Sequence, residues 1–192
     1  ENWNFNTTWS HTFSDDSQLE VDGYYTGYHR DDPIFGETRH TLDLEFQHRF
    51  HPWTQHDIVW GGAFRHSQAD TNGSQFLSLN PASRNTQTYS AFLQDEISLT
   101  DELHLILGTK IEHNEFTGIE VQPNVRMRWS PTDKQTLWAA VSRAVRTPSV
   151  SEDDIRIRSV GAPGPTEIVF TRYGNQNFKS EDLLATELGY RI

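Results

Sequence analysis

Apolar and polar side chains alternate along most of this chain, in segments of roughly ten residues. In the first segment Trp3, Phe5, Trp9 and Phe13 occupy odd positions, while Asn, Ser and Thr fill the even ones. A β-strand places successive side chains on opposite faces, whereas a helix of 3.6 residues per turn would mix the two sets. About ten residues is also the length that a tilted strand needs to cross a bilayer. The alternation therefore predicts long strands with one apolar face and one polar face.

The same pattern recurs, and we count about nine strands. The clearest lie within residues 2–13, 42–50, 57–65, 88–99, 103–112, 121–130 and 184–192, while residues 18–28 and 137–146 fit less well. Tight turns rich in Asp, Ser, Thr and Pro are expected at residues 14–17, 52–55, 100–102 and 131–134. Longer links, at residues 29–39, 67–87, 114–120 and 147–183, lie between them. Because transmembrane β-barrels alternate short turns with long loops, we predict an all-β antiparallel meander from such a barrel.

The composition supports a barrel with a wet interior. The hydrophobic fraction is 34%, below the usual ~45–50% of globular chains. Yet the chain has 6 Trp, 6 Tyr and 11 Phe, which disordered chains lack. There is no Cys, hence no disulfide, and the net charge of −11 argues against nucleic acid as a partner. The sequence contains no run of 18 apolar residues, so no transmembrane helix is predicted.

The number of strands bears on the size of the barrel. Bacterial single-chain barrels have even strand numbers, and nine strands would leave two bare edges. A closed barrel this small would fill its interior with side chains, whereas the polar face here is charged and suits a wide lumen. We expect residues 1–192 to be one partial barrel domain from a larger protein, and to lack a signal peptide.

Three stretches in the second half carry more than alternation. Residues 94–96 read Gln-Asp-Glu and precede Leu103 and Leu105, and residues 142–148 read Ser-Arg-Ala-Val-Arg-Thr-Pro. Residues 174–189 begin with Gly-Asn and end with Glu-Leu-Gly. These stretches resemble strands and strand ends of TonB-dependent receptors, although Phe178 and Ser180 replace the Leu and Pro usual there. The resemblance is specific over about residues 89–192 and general before them.

The resemblance implies a 22-stranded barrel in the outer membrane of a Gram-negative bacterium. Such receptors import scarce solutes, above all ferric siderophores and similar iron chelates, with energy transmitted by the TonB complex to a plug domain. We therefore expect a transport receptor in contact with outer-membrane lipids, not an enzyme, with no catalytic residues and no cofactor. The resemblance also implies that the plug and the TonB box lie outside this chain.

The long links are where a ligand would be sensed, since functional residues concentrate in loops. Residues 147–183 hold Arg156, Arg158, Arg172 and Tyr173, and the turn-forming Gly-Ala-Pro-Gly-Pro at 161–165. Cationic side chains there suit an anionic chelate, and residues 67–87 offer a second candidate region with Phe76 and Arg84. The alternative is a solvated loop without a ligand.

Other residues have structural interpretations. Trp and Tyr side chains on the apolar face are expected to anchor the barrel at the lipid headgroups, namely Trp3, Trp9, Tyr25, Trp53, Trp60, Tyr89, Trp129 and Tyr190. Charged side chains on the polar face are expected to form cross-strand ladders or to contact a plug, namely Asp43, Glu45, Arg65, Glu96, Lys110, Glu112, Arg126, Arg128, Glu187 and Arg191. Arg143 and Arg146 are expected to be structural. His48, His51 and His56 lack a ligand spacing, so no metal site is predicted.

Three alternatives to a receptor remain open on the residues alone. A passive outer-membrane channel shares the alternation and the loops. A soluble all-β carbohydrate-binding module would have to bury its apolar strand faces against a second sheet. An outer-membrane hydrolase would need a Ser-His-acid arrangement, and none is recognisable in the sequence.

Overall fold

The computed structural model describes residues 1–161 and 168–192. Residues 162–165 of the Gly-Ala-Pro-Gly-Pro turn lie outside the described residues. The strands are β1 (Asn2–Ser14), β2 (Ser17–Arg30), β3 (Phe35–Trp53), β4 (His56–Gly73), β5 (Leu77–Leu79), β6 (Ser83–Ser98), β7 (Leu103–Asn114), β8 (Gly118–Thr132), β9 (Gln135–Arg146), β10 (Ile155–Val160), β11 (Val169–Tyr173) and β12 (Glu181–Arg191). A short helix, α1, spans Val150–Asp154.

Nine strands form one antiparallel sheet in the order β1-β2-β3-β4-β6-β7-β8-β9-β12. Each strand pairs with the next strand of this sheet along the chain, which confirms the predicted meander. Within the described residues, β1 and β12 are edges with one neighbour each. The remaining strands form a separate sheet in the order β11-β10-β5.

The strands extend further at one end of the sheet than the alternation predicts. The links expected at residues 29–39 and 114–120 are turns of residues 31–34 and 115–117. The prediction of long loops there was wrong, because polar segments continue the strand pairing beyond the apolar band. Asn114 closes the second turn by accepting backbone N–H bonds at its Oδ1 from Phe116 (3.0 Å) and Thr117 (2.9 Å). Gly118 follows at φ +78°, a conformation that glycine adopts without steric cost.

The pairing register joins the apolar residues of neighbouring strands into one continuous face. Trp9 lies opposite Val21, and Val21 lies opposite Phe46. On the other face Asp22 lies opposite both Thr8 and Glu45. The two-faced sheet predicted from the sequence is therefore confirmed, including the less regular strand β2.

The sheet has almost no apolar core of its own. Within the described ranges, Ala69 is the only hydrophobic residue that is buried. The eight predicted Trp and Tyr anchors are all exposed on the apolar face. Exposed apolar surface of this extent requires a partner such as lipid. A β-sandwich is not supported, because a second sheet would have to cover this face and the side chains there are open.

Glycines opposite aromatic residues let rings lie flat across a neighbouring strand. A Cβ added at Gly189 would come within 1.9 Å of Trp138 Cζ2, and one at Gly27 within 2.2 Å of Trp3 Cε2. Trp138 belongs to the polar face, as its partners Arg128 and Gly189 do. An aromatic residue on the polar face interrupts the alternation, which explains why residues 137–146 fit the pattern poorly.

Candidate ligand-binding site

Two links of the main sheet, residues 74–82 and 147–180, meet in the three-stranded sheet. Strand β10 pairs with β5 through Ile155 and Leu79 and through Ile157 and Leu77. The backbone N–H of Arg158 donates to the carbonyl oxygen of Phe76 at 2.8 Å. The two candidate regions predicted from the sequence are thus joined by backbone hydrogen bonds, although their strands are too short to be recognised from alternation.

Arg156, Arg158 and Tyr173 share one side of this sheet, which we call the cationic face. Arg156 lies opposite Tyr173, and Arg158 is two residues further along β10. The Arg156 guanidinium carbon is 5.4 Å from the centroid of the Tyr173 ring, within the range of cation–π attraction. Arg158 and Tyr173 are exposed, so this face presents positive charge and an aromatic ring to solvent.

Arg172 lies on the opposite side of the same sheet. It pairs with Ile157, and successive residues of a strand face opposite ways. Phe170, opposite Ser159, shares that side and is 62% exposed. The sequence analysis placed Arg172 in one candidate site with Arg156 and Arg158. The strand pairing shows that Arg172 lies on the opposite side of the sheet from the other two.

Arg84 is held by acidic residues of the other link. Its Nη1 donates to Asp153 Oδ2 at 2.8 Å and to Asp154 Oδ2 at 2.6 Å, while its guanidinium lies 5.1 Å from the Phe116 ring centroid. The Asp154 side chain is fully buried. Arg84 therefore fastens β6 to the end of α1, and its ligand-binding role stays a prediction that these contacts do not favour.

Helix α1 is positioned by a capping box. Ser149 Oγ accepts from the Glu152 backbone N–H, and the Glu152 carboxylate accepts from the Ser149 N–H at 2.8 Å. Arg146, at the end of β9, donates to Glu152 at 2.6 Å and to Glu181 at 3.1 Å. The Arg146 guanidinium, followed by the Ser149 backbone N–H, lowers the pKa of Glu152 to about 2. Arg146 thus has the structural role expected of it, and so does Arg143, which pairs with Glu120 and Asp182.

Sequence reasoning missed Asp153, Asp154 and helix α1. The spacing Ser149-x-x-Glu152 is a signature of a helix start and was available in the sequence. The partnership of Asp154 with Arg84 was not available, because 70 residues separate them.

The polar face of the main sheet carries the expected charge ladder. Ion pairs join Arg65 with Asp43, Arg49 with Asp57, Lys110 with Glu112 at 2.8 Å, and Arg128 with Glu96 at 3.5 Å. A cavity of about 610 Å³ on this face is bordered by Arg126, Arg128, Trp138, Glu187 and Arg191. Arg65 with Asp43 and Arg128 with Glu96 pair between strands, whereas Lys110 and Glu112 pair within β7. The ladder interpretation is therefore supported for four of the ten residues expected in it.

His48 takes part in the apolar face. The Trp60 indole N–H donates to His48 Nδ1 at 3.1 Å, and His48 Nε2 lies 2.9 Å from Ser17 Oγ. Across residues 1–161 and 168–192, no cluster of three or more His, Asp or Glu side chains is arranged to hold a metal ion. Over the same ranges, helix α1 is too short to span a membrane.

Comparison with known proteins identifies the family. The family model described as "TonB dependent receptor-like, beta-barrel" matches residues 1–192. The chain belongs to this family. It is a family of transport receptors and not of enzymes, in agreement with the resemblance found in residues 89–192.

The relatives of this receptor-family chain are considerably longer than the chain. It is 24% identical over 178 residues to the ferric enterobactin receptor of Pseudomonas aeruginosa, covering 87% of this chain and 24% of that protein. It is 26% identical over 137 residues to the iron-regulated outer membrane virulence protein of Vibrio cholerae, covering 71% of this chain and 20% of that protein. The chain thus spans between a fifth and a quarter of the length of these curated relatives.

Solved structures of this family share the fold. The siderophore receptor PirA from Pseudomonas aeruginosa superimposes with a TM-score of 0.78 at 14% identity, over 98% of this chain and 36% of that one. A mutant of the ferric enterobactin receptor from Pseudomonas aeruginosa, in complex with enterobactin, gives a TM-score of 0.75 at 18% identity, over 98% and 33%. The nine-stranded meander therefore corresponds to part of a larger barrel in these proteins.

Proposed function

We propose that this receptor-family chain is part of the wall of an outer-membrane importer for a ferric siderophore or a similar iron chelate. The observation that carries the proposal is the cationic face of Arg156, Arg158 and Tyr173. This face belongs to the three-stranded sheet, which two links of the main sheet form together. The printed names of the relatives, which are ferric enterobactin and siderophore receptors, support the same class of ligand.

The chemistry of the cationic face suits an anionic, ring-bearing chelate. A guanidinium is planar, always charged and able to donate two parallel hydrogen bonds to an anionic oxygen. A phenol ring beside it offers a flat surface for stacking, and aromatic pairs add about 0.5–1.5 kcal/mol. Since the Arg158 charge is exposed, salt should weaken the binding.

The membrane and the energy source complete the proposal. The exposed apolar face, with its eight Trp and Tyr anchors, is suited to the lipids of the outer membrane of a Gram-negative bacterium. The polar face would then line the lumen, where a plug domain would connect the receptor to the TonB complex. A passive channel shares these faces, but membership of the receptor family favours active import over it.

The experiment compares two arginines of one sheet. Arg158→Ala removes a charge from the cationic face, whereas Arg172→Ala removes the same charge from the opposite side and is the matched control. Binding of ferric enterobactin to the protein in detergent is measured by fluorescence quenching, and iron-limited growth on it is measured in cells.

We expect R158A to weaken ferric enterobactin binding by about tenfold, as for one lost charged hydrogen bond, with R172A close to the wild type. Weaker ferric enterobactin binding in R172A alone would place the ligand on the other side of the three-stranded sheet. An unchanged affinity in both variants would contradict the proposed site, and growth without any TonB dependence would contradict active import.

A further inference from the structure

A chain of hydrogen bonds joins β2, β3 and β4 at the end of the main sheet opposite to the three-stranded sheet. The Trp60 indole N–H donates to His48 Nδ1 at 3.1 Å, and His48 Nε2 lies 2.9 Å from Ser17 Oγ. Ser17 begins β2, His48 lies near the end of β3, and Trp60 lies near the start of β4. We call these three residues the histidine clasp.

The partners of His48 determine which ring nitrogen carries the proton. An indole N–H can only donate, so Nδ1 of His48 must offer its lone pair to Trp60. A neutral imidazole has one acceptor nitrogen and one N–H, and therefore Nε2 carries the proton and donates to Ser17 Oγ. The histidine clasp is complete only while His48 is neutral.

Aromatic rings surround His48 on the apolar face. Its ring stacks on Phe50 with the centroids 5.2 Å apart, and Phe13 and Trp60 meet it edge to face at 6.1 Å and 6.0 Å. Phenylalanine has no polar atom, and the indole nitrogen only donates. None of these rings can therefore offer a polar acceptor to a second N–H on His48.

Other titratable side chains lie near the histidine clasp. On the same side of the sheet are His11 of β1 and His56 of β4, whose Nδ1 lies 2.7 Å from Asp95 Oδ2 of β6. Asp15 and Asp16 are exposed in the turn before Ser17, and on the polar face His51 and Arg49 pair with Asp57. Within residues 1–161 and 168–192, none of these groups forms a hydrogen bond or an ion pair with the His48 ring. The bond to Trp60 therefore depends on the protonation of His48 itself.

We propose that the histidine clasp is a pH-sensitive contact that opens in acid. Histidine is the side chain that ordinarily changes its charge between about pH 5 and 8. A proton on Nδ1 removes the acceptor of the Trp60 N–H and sets two donors against each other, so this bond is present at high pH and is lost as the pH falls. Trp60 is 42% exposed on the apolar face, and acid frees its N–H for a lipid headgroup or water. The proposal does not depend on iron transport or on the cationic face.

The test follows the Trp60 indole by NMR in protein labelled with ¹⁵N-tryptophan and held in a zwitterionic detergent. Each indole N–H gives its own signal, and Trp60→Phe identifies the signal of Trp60. We expect its proton chemical shift to move upfield in a sigmoidal manner between about pH 8 and about pH 5, because the N–H loses its nitrogen acceptor. A Trp60 shift that stays constant over this range in the wild type would overturn the proposal.

Two variants assign the effect to one histidine. In His48→Gln the amide oxygen can accept the indole N–H, and this group does not titrate. We expect the Trp60 shift to be independent of pH in H48Q. His56→Gln is the matched control on the same face and strand as Trp60, and we expect it to keep the wild-type profile. A wild-type profile in H48Q, or its loss in H56Q, would overturn the assignment to His48.

Discussion

Arg84 donates a hydrogen bond of 2.6 Å to Asp154, whose carboxylate is buried at the end of helix α1. The two residues are 70 positions apart and belong to different links of the main sheet. Their contact, together with the pairing of β5 and β10, joins these links into one unit. The cationic face depends on that unit.

Removal of this contact should loosen the three-stranded sheet. In Arg84→Ala a buried carboxylate loses its partner, a change that typically costs about 3–5 kcal/mol. We expect faster amide hydrogen exchange in β5 and β10, and little change in the main sheet. Arg126→Ala is the control, because Arg126 is exposed on the polar face. Equal protection of β5 in R84A and the wild type would show that the ion pair does not hold the links together.

Acid should release helix α1. The pKa of Glu152 is lowered from its usual 4.5 to about 2, mainly by Arg146 and then by the Ser149 backbone. A depressed carboxyl pKa stabilises the folded form above pH 4.5, and this stabilisation disappears as the pH falls towards about 2. We expect limited pepsin digestion between β9 and β12 to accelerate over that range in the wild type, relative to Glu152→Gln, which has no such titration.

Glu181→Gln is the matched control for this pH effect. Glu181 also pairs with Arg146, but its side chain is 73% exposed and it lies outside the capping box. We expect E181Q to follow the wild-type pH profile. A wild-type profile in E152Q would assign the acid sensitivity to another group.

Adjacent residues of β6 test which face meets lipid. Leu93, opposite Trp60 and Thr109, is 52% exposed on the apolar face and lies between Tyr89 and Leu99 along the chain. An arginine at the lipid midplane of a barrel costs about 2–4 kcal/mol, whereas lumen substitutions are tolerated. We expect Leu93→Arg to lower the urea midpoint of the protein in lipid vesicles, and Gln94→Arg, on the polar face, to leave it unchanged. The reverse order would exchange the assigned faces.

A side chain at Gly189 should disturb the polar face. A Cβ there would meet the Trp138 ring at 1.9 Å, and overpacking of this kind costs about 1–3 kcal/mol. Gly23→Ala is the control, since its nearest atom is the Thr7 methyl at 3.2 Å. Urea unfolding followed by tryptophan fluorescence should show a lower midpoint for G189A than for G23A. Equal midpoints would mean that Trp138 moves aside at little cost.

The sequence alone was sufficient to predict the strands of the main sheet, their order and their two faces. Alternation at period 2 is a local property. The face of the sheet on which a residue lies can be predicted from its own segment alone, as for Trp9, Val21 and Phe46. Tight turns rich in Asp and Ser then make sequential strands neighbours. The same local pattern failed where the strands leave the apolar band, because residues 29–30, 35–39, 114 and 118–120 belong to paired strands that the apolar alternation does not mark.

The candidate site was decided by tertiary structure. Four arginines could be named from the sequence, but only the pairing of β10 with β11 places Arg158 beside Arg156 and puts Arg172 on the other side. Only the meeting of two distant links buries Asp154 against Arg84. Alternation encodes the environment of each strand face, whereas a binding site requires side chains from segments that are far apart in the chain. Their distances depend on the path of the whole backbone, which no local pattern specifies.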